Sequence, residues 1–210
     1  GKAADEEERT KKAVRISLPA PVLDGAVSLE QALSMRHSVR KYHDEPLTLG
    51  EVGQLMWAAQ GITRKGESRT APSAGATYPL EIYVAAGNVD GLEAGVYLYD
   101  PNGHSLVPVA AGDQRRKLSR AALNQSPVSR GAAVIVVAAR YQRTTGKYGQ
   151  RGIRYVHIEA GHAGQNILLT ASTLALGSVP IGAFHDADVA KVLNLSKGAE
   201  PLCLYPVGRL

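Results

Sequence analysis

The chain has 210 residues, 44% hydrophobic and 20% charged, with a formal net charge of +5, enough to bury a real core as one domain. Its basic residues are interleaved with acids and its aromatics, 5% of the chain, form no stacking ladder, which excludes a nucleic-acid groove and favours a small anionic ligand. A single cysteine, Cys203, excludes a disulfide framework or a CxxC pair, and no apolar run of ~18 residues is present to span a membrane.

Residues 1–27 read as a polar arm that ends in the extended Pro19-Ala20-Pro21. Its charged stretch from Lys2 to Lys12 carries no signal-peptide core. The expectation is a cytoplasmic protein, with export after removal of a leader left open. From residue 28 to residue 210 the chain reads as one domain. Ser28 with Gln31 forms a capping box for a short helix through Arg36, with Leu29, Ala32, Leu33 and Met35 as its core contacts. Thr48 with Glu51 repeats the signature for a helix from Leu49 to about Gln60. Its apolar positions are Leu49, Val52, Leu55, Met56 and Ala59, and Gly61 stops it.

Between the two helices lies Arg36-His37-Ser38-Val39-Arg40-Lys41-Tyr42. Arg36, Ser38 and Arg40 alternate, so an extended chain points all three to one side. Two guanidinium forks and a hydroxyl suit an anion, because the fork matches phosphate geometry. A solvated basic turn at a helix end is the alternative. Further on, Ala71-Pro72-Ser73-Ala74-Gly75-Ala76-Thr77-Tyr78-Pro79 places small residues between two prolines. Such a low-profile backbone either admits a flat ligand close to the main chain or simply leads into the next strand.

Glu81 to Ala86 alternates as a strand with Ile82, Val84 and Ala86 inward. The runs 95–99 and 105–109 flank Asp100-Pro-Asn-Gly103, a hairpin signal. Asp113 caps a basic helix to about Leu123, and the β-branched run from Ala132 to Ala139 reads as a strand buried on both faces. A long helix follows from about Ile153 to Ala175, with Gly177 as its C-cap. Gly161 and Gly164 inside it cost ~1 kcal/mol each, which close packing on another helix or on a cofactor would explain. Ser178 to Phe184 is a strand interrupted at Pro180-Ile181-Gly182. Asp186 opens a short helix to Asn194, and Pro201 to Val207 is the last strand, with Cys203 as a small buried residue. Helices and strands mixed without a βαβ rhythm argue α+β.

Three chemistries find no support. His157 and His162 diverge by about 140° on a helix and with Glu159 make no zinc site. Rossmann and P-loop glycine patterns are missing, and Ser73 sits in no nucleophile elbow. No metal is expected.

Arg-His-Ser-Val-Arg after a short helix, Pro-Ser-Ala-Gly-Ala-Thr-Tyr-Pro some thirty residues on, and a terminal Gly-Arg together resemble the nitroreductase-like FMN flavoproteins, over residues 28–210. Gly-Val-Tyr-Leu-Tyr, Lys147-Tyr148 and Arg154-Tyr-Val-His-Ile-Glu-Ala-Gly-His162 resemble the branch containing the azoline oxidases of modified-peptide biosynthesis. The resemblance implies an α+β fold with a central, mostly antiparallel sheet flanked by helices, in an interlocked homodimer with FMN at the subunit interface. It assigns Arg36, His37 and Ser38 to the phosphate and ribityl chain, with Gly208-Arg209 supplying a second fork. Arg40 takes the pyrimidine edge of the flavin. Pro72, Ser73, Ala74 and Gly75 come from the other subunit, and Pro180, Ile181 and Gly182 border the ring, with a backbone N–H for flavin N5. Gln165 lies on the dimer helix. The implied reaction is ping-pong hydride transfer through flavin N5 from NAD(P)H to a small conjugated acceptor. The alternatives are oxidation of an azoline in a peptide, with Lys147 and Tyr148 as the base, and flavin binding without turnover.

Overall fold

The β-branched run Ala133–Ala139 is buried on both faces along its whole length, and the molecule is arranged around it. The computed structural model describes residues 14–64 and 68–210. In chain order, β1 (Ile16–Ser17) leads to α1 (Leu29–Met35), β2 (Leu47–Thr48), α2 (Leu49–Gln60), β3 (Ile62–Arg64) and β4 (Ser68–Arg69). Next come β5 (Leu80–Ala86), β6 (Val89–Asp90), β7 (Gly95–Asp100), β8 (Ser105–Ala111), α3 (Arg115–Ala121) and α4 (Ser126–Arg130). The last part holds β9 (Ala133–Ala139), α5 (Gln142–Tyr148), α6 (Arg151–Thr173), β10 (Leu176–Ser178), α7 (Asp186–Leu193) and β11 (Glu200–Arg209).

Seven strands form one sheet in the order β1-β8-β7-β5-β9-β11-β10, antiparallel at every pairing. The fold is α+β, a central antiparallel sheet flanked by helices. Val52, Leu55 and Met56 of α2 and Val156, Ala163 and Ile167 of α6 cover the face carrying Ile82, Val84, Ile135 and Val137. Leu118 of α3 and Val189 and Leu193 of α7 cover the other face, on Tyr83, Val134, Val136 and Leu204. Each buried aliphatic side chain contributes roughly 1.5–3 kcal/mol, so this double cover accounts for most of the fold's driving force.

Both capping boxes form. The Ser28 and Thr48 hydroxyls accept from the N–H groups of Gln31 and Glu51, whose side chains accept in return. The hairpin also forms, with Tyr99 opposite Leu106.

Several expectations change. β5 is buried on both faces, not half exposed, because helices lie above and below it. Its Glu81 is satisfied there by Arg140, Arg143, Tyr83 and Ser196. Of the four apolar residues expected to anchor α1, only Ala32 is buried; Leu29, Leu33 and Met35 stay exposed because no described element covers that face. Asp113 does not cap α3. Its carboxylate instead accepts from the Arg115 N–H and guanidinium. The long helix starts at Arg151 and ends at Thr173, and Gly177 lies in β10, not at its cap. The strand after it stops at Ser178, leaving Ile181 as a single bridge to Leu204. The end of the arm is not free either: Ile16–Ser17 pairs with β8 at the sheet edge. The charged stretch from Lys2 to Lys12 lies outside the described residues.

Candidate functional site

The first cluster forms where segment 36–42 crosses the end of the sheet. Arg36 closes α1, its N–H on the Ala32 carbonyl, and turns the chain out of the helix. Val39 then donates its N–H to the Ser178 carbonyl at 2.9 Å. A Cβ on Gly177 would stand 2.7 Å from Val39 Cγ1, and one on Gly208 would stand 2.6 Å from Tyr42 Cβ. Only glycine at both positions lets the segment lie this close to β10 and β11. The Tyr42 hydroxyl donates to the Val39 and Pro206 carbonyls, and the His43 N–H donates to the Arg209 carbonyl.

Because Val39 and Tyr42 turn inward, Ser38 and Arg40 are left exposed and Arg36 half-buried. Among the described residues, no carboxylate pairs with Arg36 or Arg40. His37 is exposed with Nδ1 on the Met35 carbonyl. Beside this segment the Ser178 hydroxyl is buried without a partner. Unpaired cations and an orphan hydroxyl are what an anionic ligand satisfies.

Arg209, expected to present a free fork, is instead bound to a carboxylate. Its Nη1 and Nη2 donate to the two oxygens of Glu51 at 2.6 and 2.8 Å. Burial pushes the Glu51 carboxyl up, but hydrogen bonds from Arg209 and from the Thr48 N–H outweigh it and hold the carboxyl below its usual range. At the neighbouring tripeptide, the Ile181 N–H is spent on the Leu204 carbonyl, and Pro180 has none. Gly182, exposed and with nothing within 4 Å of its missing Cβ, is the position left to offer a backbone N–H to a flat ligand.

The second cluster joins two stretches of sequence 72 residues apart. Gly75 adopts φ +59°, the left-handed region, and its carbonyl accepts from Lys147 Nζ at 3.4 Å. A Cβ there would stand 2.6 Å from Lys147 Nζ, with the Tyr148 hydroxyl also in the way. Lys147 and Tyr148 end α5 and are helical. Tyr148 sets its edge on the Tyr155 ring at 5.2 Å. Lys147 is exposed, so the chain by itself does not provide the desolvated lysine expected of a base. Pro72, Ser73 and Ala74 lead into Gly75, and the Ser73 hydroxyl accepts from the Tyr78 N–H at 2.9 Å.

Sequence reasoning missed what lies beneath this segment. Glu159 of α6 is 2% exposed, and one of its oxygens has no partner. Burial pushes its carboxyl up to about 7, against a smaller downward pull from Ser73, Arg69 and Gln60. Gln60 is also buried, its Nε2 without a partner, while its Oε1 accepts from Arg69 Nη1 at 2.9 Å. The signal was present: Val156, Glu159 and Ala163 share one helix face.

The other predicted residues separate. Gln165 is exposed on α6. Gly161 has open space around it, whereas a Cβ on Gly164 would collide with Tyr205 of β11, so that glycine serves helix-on-sheet packing. Cys203 is partly buried in β11, where burial pushes its thiol up. Among the described residues no three metal-ligating side chains converge, and no helix is long and apolar enough to cross a membrane.

Two proteins named "putative nitroreductase" are similar to this chain. One, from Methanocaldococcus jannaschii, is 46% identical over 183 residues, 87% of this chain and 91% of the relative. The other, a crystal structure from Ralstonia eutropha JMP134, superposes with a TM-score of 0.80 at 28% identity, covering 93% of this chain and 89% of that one. The microcin B17-processing protein McbC of Escherichia coli is 30% identical over 134 residues, 61% of this chain, which spans only 49% of McbC. The Nitroreductase family profile matches residues 33–209, the whole region that holds both clusters, and the chain belongs to that family.

Proposed function

We propose that this protein is an FMN-dependent oxidoreductase moving two electrons between a nicotinamide donor and a small conjugated acceptor. The observation that carries the reading is segment 36–42, held on Gly177 and Gly208 so that two unpaired guanidinium groups stand at the sheet end near the orphan Ser178 hydroxyl. These residues fit the group: an anion for the forks and the hydroxyl, and a flat surface beside Gly182. FMN supplies reversible two-electron redox chemistry when bound.

The chain's own residues bind and orient. Arg36 and Ser38 would hold the phosphate and ribityl chain, with His37 beside them. Arg40 places positive charge at the pyrimidine edge, and the Gly182 N–H would reach the ring nitrogen. Arg209, through Glu51, fixes the end of β11 on which the segment rests. Residues 72–75 would cover the ring from a second subunit in a homodimer, for which the exposed Leu29, Leu33 and Met35 offer an apolar face.

The test is the visible spectrum of the purified protein before and after anaerobic NADH and NADPH. Bands near ~450 nm that bleach with either nucleotide are expected. A colourless protein that takes up no added FMN would sink the reading.

A second reading, oxidation of an azoline in a peptide, is favoured by one observation: Lys147 Nζ reaches the Gly75 carbonyl and the Tyr148 hydroxyl stands beside the same glycine, where a substrate proton would be taken up. The similarity to McbC, a microcin-processing protein, points the same way. Lys147→Ala separates the two. Loss of turnover with FMN still bound supports the oxidase, and unchanged nicotinamide oxidation supports the reductase.

A further inference from the structure

Strands β5 and β7 pair from Tyr83 opposite Leu98 to Ala86 opposite Gly95, and no further. β5 begins three residues earlier, at Leu80, and β7 runs on to Asp100. The two strand ends therefore splay apart, leaving a cleft of about 330 Å³. Its walls are apolar, built from Leu80, Ile82, Leu98, Tyr99 and Val107. Its polar rim carries Arg15, Arg69 and Arg143 together with the carboxylates Glu81 and Asp100, and the buried Gln60 lies behind Arg69.

The three cations differ. Arg15 pairs with Asp100, and Arg143 pairs with Glu81. Arg69 has no carboxylate within ion-pair distance among the described residues. Its partners are neutral: the Gln60 amide oxygen and the Tyr78 ring, whose centroid lies 4.3 Å from the guanidinium carbon. Holding a half-buried cation on neutral partners is costly unless something anionic completes the site.

We propose that this cleft binds a small organic carboxylate, with Arg69 as the cation that reads it and Glu159 as the group whose proton sets its affinity. One guanidinium without a carboxylate partner matches one carboxylate, whereas a phosphate dianion would call on more unpaired charge than the rim offers. The apolar walls select an anion with a hydrocarbon or aromatic body.

Glu159 enters through Gln60. The Gln60 Nε2 and a Glu159 oxygen are both buried without partners, and Arg69 lies close enough to act on the Glu159 charge. While Glu159 holds a proton, no described carboxylate within ion-pair distance compensates the Arg69 charge, which attracts the ligand. When Glu159 ionises it neutralises Arg69 from within and repels a second carboxylate. Proton and ligand therefore favour each other, reciprocally. The groups facing Glu159 are Arg69 from β4, Gln60 from α2 and the Ser73 hydroxyl. Around the cleft stand Arg15 with Asp100, Arg143 with Glu81, and His104, which contacts the Tyr99 hydroxyl at 2.9 Å. Arg69 also stacks on Tyr78, whose N–H holds Ser73, so an occupied cleft would steady segment 72–75. The site stands whether or not the chain binds FMN, because none of its residues lies in segment 36–42.

The test is titration calorimetry of the purified protein with benzoate, and with neutral benzamide as the control, at about pH 6 and about pH 8.5, on either side of the Glu159 transition. Benzoate is expected to bind roughly tenfold more tightly at the lower pH, and benzamide not to bind. Arg69→Gln should abolish benzoate binding. Val107→Trp, which fills the cleft from a half-exposed wall, should block it in a protein with its Arg69 intact. Glu159→Gln should bind equally well at both pH values. Benzoate binding that survives both Arg69→Gln and Val107→Trp, or no binding at millimolar benzoate, overturns the site. A pH dependence that survives Glu159→Gln overturns the role given to Glu159.

Discussion

Glu51 and Arg209, 158 residues apart, meet in a two-point ion pair, Nη1 to Oε1 at 2.6 Å and Nη2 to Oε2 at 2.8 Å. The same carboxylate accepts from the Thr48 N–H at 2.8 Å, so one side chain both caps α2 and pins the last strand. Glu51→Ala should destabilise the fold by roughly 2 kcal/mol, the sum of a lost cap and a lost charge-assisted bond. Glu51→Gln keeps the capping box and should lose less. The Glu51 carboxyl is held low in the folded state, so its contribution is present at neutral pH and is lost as pH falls through that lowered value. Thermal melts of both variants from neutral to acid pH check this; a wild-type acid slope unchanged in Glu51→Gln would refute it.

Gly208 and Gly182 make a matched pair. Gly208→Ala drives a Cβ to 2.6 Å from Tyr42 and should cost roughly 1–3 kcal/mol while lifting segment 36–42 off β11. Gly182→Ala meets nothing among the described residues and should leave the melting temperature unchanged. On the FMN reading both variants lose flavin, the first by displacing the cations and the second by crowding the ring. Flavin content measured beside the melts separates the two causes.

Glu159 has the opposite sign to Glu51. Its folded-state value, about 7, lies above the ordinary carboxyl range, so the folded state binds more protons than the unfolded one between those values. Stability should therefore fall as pH rises through that window, by an amount on the order of 3 kcal/mol, and level off above it. Glu159→Gln should remove the slope and exceed wild type in stability at alkaline pH. Denaturant midpoints across that window decide it.

Leu33 is 52% exposed on α1, between the equally bare Leu29 and Met35. If these residues meet a second subunit, Leu33→Glu should shift the protein to monomer in light scattering while leaving the monomer's fold intact, because the side chain touches no core. A dimer that survives the change would place the interface elsewhere.

Much of this was legible because it is local. Capping boxes at Ser28 and Thr48, the stop at Gly61, the hairpin around Asp100-Pro-Asn-Gly103 and the doubly buried Ala133–Ala139 are short-range patterns, and all of them form. Segment 36–42 was also legible as a cationic stretch, since two arginines and a serine in alternation need no partner to be recognised. The sequence alone thus determined the fold class and the family, and marked the cationic stretch on which the FMN reading rests.

Only the tertiary structure decided who meets whom. That Arg209 spends its fork on Glu51, that Gly177 and Gly208 exist to admit Val39 and Tyr42, and that Lys147 rests on Gly75 are contacts between residues far apart in sequence. Whether Glu81 and Glu159 are buried likewise depends on which helix covers which face of the sheet. The physical reason is one of range. Backbone geometry and capping act within a few residues, whereas burial and ion pairing are set by whatever the folded chain brings alongside.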